Sequence, residues 1–185
     1  GYLAWSDQNF LHSGLGTEIT AGRQTLNVGS RRLIARNAMR NTINSFDGLR
    51  LRVLDYVNWQ FNAFATMPVN RYPSSATAIL DGEHDFDTAD GKTGFSGGFF
   101  EMYNIGFGVN AEMYLYHLDE GDSAKSQTRN RRYFTPGGRL YIKPAKGDVD
   151  FQLETIGQFG TIHTSTTNNK ALQHEAWYQH VDLGY

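Results

Sequence analysis

Trp59-Gln60-Phe61-Asn62-Ala63-Phe64-Ala65-Thr66-Met67 alternates without a break. Trp59, Phe61, Ala63, Ala65 and Met67 fall on one side of an extended chain, and Gln60, Asn62, Phe64 and Thr66 on the other. Side chains of a strand point to opposite faces in turn, so the segment predicts a β-strand with one apolar face and one mixed face. Val109, Ala111, Met113 and Leu115 set against Asn110, Glu112, Tyr114 and Tyr116 repeat the pattern. So do Leu49, Leu51 and Val53 against Arg50 and Arg52, and Val149, Phe151 and Leu153 against Asp150, Gln152 and Glu154. Extended over the chain, this period predicts about nine strands, at 2–11, 17–28, 49–55, 58–67, 98–104, 109–119, 133–143, 148–160 and 171–183. Helical spacing is not sustained; the best helix candidate, Leu33–Arg40, is short and lacks a clean apolar stripe.

The connections between these strands alternate in length. His12–Gly16, Tyr56–Val57, Ile105–Gly108 and Pro144–Gly147 are short. Gly29–Gly48, Pro68–Gly97, Glu120–Arg132 and Thr161–Lys170 are long. In an up-and-down meander alternate connections share one end of the sheet, so the long ones gather at one end and the short ones at the other. Outer-membrane barrels have this asymmetry, and a soluble sandwich has no reason to sort its loops so. The apolar face carries aromatics near strand ends (Trp59, Phe107, Phe159, Trp177), as a lipid-facing girdle requires. The fold expected is therefore all-β, a segment of an antiparallel up-and-down transmembrane β-barrel. The rival is a soluble all-β carbohydrate-binding module or lyase-like sandwich, whose solvent face would alternate in the same way.

Composition agrees with one domain over 185 residues, with 20 glycines, 10 tyrosines, 12 phenylalanines and no cysteine. The absence of cysteine excludes a disulfide framework and a thiolate metal site. No apolar run approaches the roughly 20 residues of a membrane-spanning helix. Low mean hydropathy does not exclude a barrel, because alternating strands average out. Gly1-Tyr2-Leu3-Ala4-Trp5 reads as the interior of a strand rather than a secretion signal.

The net charge is −2, yet Gly22–Arg52 holds seven arginines and one acid, Asp47. Arginine donates two parallel hydrogen bonds to a carboxylate or phosphate, so this concentration points to a planar anion, against the plain alternative of a solvated basic loop. Ile19 and Ala21 set one parity and Leu26 and Val28 the other. A bulge near Gly22–Gln24 would repair the phase and turn Arg23 inward beside Thr25 and Asn27. Arg31, Arg36 and Arg40 fall in the long connection that follows; they either fold inward as a constriction or decorate an exterior loop.

G-R-Q-T-L-N-V-G-S-R-R-L-I-A-R-N (residues 22–37), followed by R-N-T-I-N-S-F-D-G-L-R (residues 40–50), resembles the alginate-export family of outer-membrane β-barrels. M-Y-L-Y-H-L-D-E (113–120), G-G-R-L-Y-I (137–142) and D-F-Q-L-E-T-I-G-Q-F-G (150–160) continue the likeness more weakly. The resemblance implies a channel in the outer membrane of a Gram-negative bacterium whose cationic lumen passes an acidic polysaccharide or small carboxylates. It maps lumen arginines onto Arg23, Arg32, Arg50, Arg52 and Arg139. Lumen acids such as Glu101, Glu112 and Glu154 would interrupt them so that the solute is released. The same arginines and glutamates could instead pair across the lumen and brace the wall. The implied partners are the lipid bilayer with its lipopolysaccharide, the anionic solute and a periplasmic export protein. The chain is about half the length usual for the family, and an odd strand count cannot close an ordinary bacterial barrel, so a piece of a longer barrel is expected.

Other chemistries lack their signatures. There is no G-x-S-x-G, no P-loop and no zinc spacing among the six histidines. Nineteen acids supply carboxylate pairs in any arrangement, so counting alone does not dismiss glycoside hydrolysis; no enzyme activity is expected all the same. Asp81-Gly82-Glu83-His84-Asp85-Phe86-Asp87 is a candidate for Ca2+ on the outer loops but lacks a calcium-loop spacing. No cofactor is otherwise expected. A nucleic-acid partner is not expected either, because the basic stretch lacks interleaved aromatics and the net charge is negative.

Overall fold

The computed structural model describes every residue except 38, 40–42, 124 and 125. Nine strands form one antiparallel sheet in sequence order: β1 (Tyr2–Asp7), β2 (Gly16–Gln24), β3 (Phe46–Asp55), β4 (Trp59–Pro68), β5 (Thr93–Gly106), β6 (Val109–Glu120), β7 (Arg132–Tyr141), β8 (Asp150–His163) and β9 (Ala171–Gly184). The sheet is an open up-and-down meander with β1 and β9 at its edges. A sandwich would require two sheets; the described strands make one. From β3 to β9 the strands run 10 to 14 residues. A tilted strand needs about 9–11 to cross a bilayer. Connections 25–45, 69–92, 121–131 and 164–170 lie at one end of the sheet and 8–15, 56–58, 107–108 and 142–149 at the other; the expected alternation of loop lengths holds as far as 121–131 and fails at the last pair, because β8 runs on to His163 and leaves 164–170 shorter than 142–149.

Strand ends differ from expectation where glycine or an inward turn hides the period. β5 starts at Thr93, five residues early, because Gly94, Gly97 and Gly98 carry no side chain to mark a face. β1 stops at Asp7 and gives way to a short turn, Phe10–His12. The helix candidate Leu33–Arg40 is not helical over 33–37; Ala38 and Arg40 lie outside the described residues. The one α-helix among the described residues is α1 (Ala76–Leu80), where the Ser75 hydroxyl accepts from the Ala78 N–H at 3.1 Å.

The expected bulge at Gly22–Gln24 is absent. Pairing of β2 with β3 runs unbroken from Gly16 opposite Leu54 to Gln24 opposite Phe46. Arg23 therefore shares the face of Ile19, not that of Thr20 and Gln24. The change of parity has another cause: β2 ends at Gln24 and the chain leaves the sheet. Leu26, Val28 and Ile34 then bury against one face of the sheet, beside Phe64, Phe99, Tyr114, Tyr116 and Ile156. Leu26 is wholly buried. Residues 25–34 of connection 25–45 thus fold back over strands β4 to β8 and make this the covered face of the sheet.

The other, bare face carries Leu3, Trp5, Ile19, Leu49, Leu51, Met113, Leu115, Phe134, Leu153, Trp177 and Val181. Large parts of most of these side chains are exposed. Aromatic contacts mark both ends of it. Trp5 meets Phe10, and Trp59 meets Phe100, at the short-turn end; Phe159 meets Trp177 toward the long-loop end. An exposed apolar band between two aromatic girdles is the surface a strand presents to hydrocarbon.

Candidate functional site

On the covered face strands β2 to β8 each offer a polar side chain to a nearby strand at about the same level. Arg52 pairs with Glu18 across β2 and β3 at 3.1 Å. Arg50 Nε donates to Asn62 Oδ1 at 3.1 Å, joining β3 to β4. Gln60 and the Tyr141 hydroxyl both donate to Glu101, which links β4, β5 and β7. Arg139 donates to Glu112 at 2.9 Å and to Gln152, and its guanidinium lies 4.0 Å from the centre of the Tyr141 ring. Glu154 is almost wholly buried. It accepts from the Tyr114 hydroxyl at 2.9 Å, from Ser30 Oγ at 3.0 Å and from Arg32. Period two is the local cause: a polar residue at every second position of each strand lines up with the next strand's because the register is regular.

Two tyrosines depend on glycines opposite them. Gly137 faces Tyr114 and Gly97 faces Tyr116. A Cβ at either glycine would collide with the ring. The glycines let both rings lie flat over the neighbouring strand, stacked on each other at 4.9 Å, with Tyr114 reaching Glu154.

A cavity of about 430 Å³ lies between this belt and the tip of the inward connection. Its walls include Arg31, Arg50, Arg52 and Arg139 against Glu101 and Glu112, so four cationic side chains meet two anionic ones. Among the described residues, buried Glu112 Oε2 and Arg139 Nε have no hydrogen-bond partner. The cavity can accept a hydrated or hydroxyl-rich anion, since arginine forks and spare polar atoms line it and little apolar surface does.

The sequence-predicted residues divide as follows. Arg50, Arg52, Arg139, Glu101, Glu112 and Glu154 lie together on the covered face, and Arg32 joins them from the connection. Arg31 lines the cavity, with a left-handed backbone (φ 61°) at the connection's tip. Arg36 is exposed; its N–H donates to Asn27 Oδ1 at 2.8 Å, so its backbone helps fold the connection. Arg40 lies outside the described residues. Arg23 is on the bare face at the long-loop end, with Nε and Nη2 on the two oxygens of Asp47 at 2.8 and 2.9 Å. Its Nη1 donates to the Asp87 carbonyl at 2.9 Å. The inward position expected for Arg23 is therefore corrected: unbroken pairing fixes its parity.

Sequence reasoning missed Glu18, Asn62, Gln152, Tyr114 and Tyr141 as members of the belt. The signal was present, since each shares parity with an arginine or glutamate on its own or the adjacent strand. In the acidic run Asp81–Asp87, and elsewhere among the described residues, no group of three metal-ligating side chains converges.

A family model described as alginate export matches residues 2–185, essentially the whole chain. No curated protein and no solved structure matches significantly. The full-length match, together with a membrane-type meander, places the chain in the alginate-export family.

Proposed function

We propose that this protein is an outer-membrane channel of a Gram-negative bacterium that passes an anionic solute along the covered face, which is the lumen. The solute is an alginate-like acidic polysaccharide or a small carboxylate. The observation that carries this reading is the cavity beneath the connection, walled by four arginines and two glutamates. Charge lining a low-dielectric passage focuses the field and raises the local concentration of the opposite ion. Glu112 keeps Arg139 engaged and Glu18 does the same for Arg52, while Arg50 donates to the neutral Asn62, so a carboxylate meets guanidinium groups of unequal engagement and passes on rather than staying bound. Arg31 narrows the passage at the connection's tip. The bare face meets lipid, and no chemical step is assigned to the protein.

Planar-bilayer recording of the full-length protein with added oligo-uronate tests the solute. Block of the open-channel current that weakens with salt, and weakens further in Arg50→Gln or Arg52→Gln, is expected. Current without block would discard the polyuronate and keep the channel.

A further inference from the structure

The long connections differ in what they expose. Among the described residues, 25–45 exposes Met39 and parts of Leu33 and Ile43 beside its buried residues, whereas 121–131 and 164–170 leave no large apolar side chain in solvent. Connection 69–92 does: Ile79 is 59% exposed, Leu80 86% and Phe86 87%. Ile79 and Leu80 sit on α1, which buries none of its residues. Exposed apolar side chains close together in a loop need a partner, because water solvates them poorly.

The position of the connection indicates which partner. Arg23 and Asp47 stand on the bare face, Asp47 directly opposite Met67 on β4. Arg23 Nη1 holds the Asp87 carbonyl at 2.9 Å, and the Tyr72 N–H donates to Asp87 Oδ1 at 3.0 Å. Connection 69–92 is thus fastened through Asp87 at the rim of the apolar band, while its first residues, Val69 and Arg71, bond to Ser45 and Asn44. Asp81, Glu83 and Asp85 lie between Leu80 and Phe86 in sequence. These charges forbid deep burial and hold their segment on the water side of the headgroups.

We propose that α1 and Phe86 form an interfacial anchor that seats connection 69–92 on the outer leaflet, with the Arg23–Asp47 pair as its fastening to the barrel wall. The inference rests on the outer-membrane reading above. Leu80 and Phe86 enter the boundary between headgroups and acyl chains, and the acids stay on its water side. This also gives Arg23 a role outside the lumen.

The chain has no cysteine, so single nitroxide labels report cleanly. Label Leu80→Cys, Phe86→Cys, Leu49→Cys in the apolar band and Lys146→Cys in a short turn. The full-length protein is placed in phosphatidylethanolamine–phosphatidylglycerol vesicles containing lipopolysaccharide. Relative accessibility to oxygen and to a water-soluble nickel chelate is then read. Labels at 80 and 86 are expected to favour oxygen several-fold over the label at 146, approaching the label at 49. Labels at 80 and 86 that match 146, while 49 stays oxygen-rich, would overturn the anchor. A label at 49 that itself matches 146 would overturn the membrane reading and the anchor with it.

Discussion

Arg139 is held on three sides, by Glu112, Gln152 and the Tyr141 ring, and its side chain is only 13% exposed. Glu112 is more buried still, at 3% for its side chain, and one of its oxygens has no partner. Removing one member of such a pair leaves an uncompensated charge, so Arg139→Ala should cost about 3–5 kcal/mol. The midpoint of urea unfolding in detergent micelles measures this. Arg23 predicts the opposite behaviour. Its pair with Asp47 is part-exposed, at 36% and 28%, and such pairs contribute roughly 0–1 kcal/mol. Arg23→Ala should leave both the unfolding midpoint and the anion selectivity nearly unchanged. In the 121–131 connection, the Thr128 N–H and the Asn130 amide donate to Asp122 at 2.8 and 3.2 Å. The Thr128 bond is the larger cause holding the Asp122 carboxyl below its ordinary range. A depressed folded-state value means the contribution is present above the ordinary carboxylate range and disappears as pH falls through the depressed value. The Asp122 side-chain carboxyl carbon resonance should therefore move only below the ordinary carboxylate range, and a step within or above that range would contradict this.

At the scale of the element, connection 25–45 accounts for what was and was not legible in the sequence. Period two revealed the strands, their order and both faces, because a half-buried strand cannot hide its alternation. The reversal of parity after Ala21 was visible too, but it has two physical causes that look alike in one dimension. A bulge keeps the chain in the sheet, and an inward turn takes it out. Only the burial of Leu26, Val28 and Ile34 on the covered face separates them. The same ambiguity misplaced Arg23. The glycines at 97 and 137 were equally opaque, since their purpose is the ring opposite. Docking of the connection rests on Leu26 and on Glu154, which gathers Ser30 and Arg32. Leu26→Ala should weaken docking by about 2–5 kcal/mol, the usual cost of truncating a fully buried leucine. The readout is single-channel conductance, which should rise, together with faster amide exchange over 26–34. An unchanged conductance would mean that the connection does not limit the passage.

For the whole molecule, strand direction constrains how the sheet can close. Neighbours are antiparallel throughout β1 to β9, so β1 and β9 run the same way. They cannot pair antiparallel with each other, and a second copy in the same membrane orientation would meet β9 with a parallel β1. Antiparallel closure takes an odd number of further strands between them, and in lipid the open edges must be paired, because each unsatisfied backbone group there costs several kcal/mol. The folded barrel should migrate differently on a gel before and after boiling, and identical migration would argue against closure. The family and the fold were legible from the arginine block and the loop lengths. The charge character of the covered face was legible only in outline, because it depends on which arginines already have acids, as Arg52 has Glu18 and Arg139 has Glu112. The most direct test of that character is the reversal potential of the full-length protein across a planar bilayer in a potassium chloride gradient. Wild type should be anion-selective, and Arg50→Gln with Arg52→Gln should move the potential toward the cation side. A cation-selective or unselective wild type would contradict the central claim that the arginines of the covered face line an anion passage.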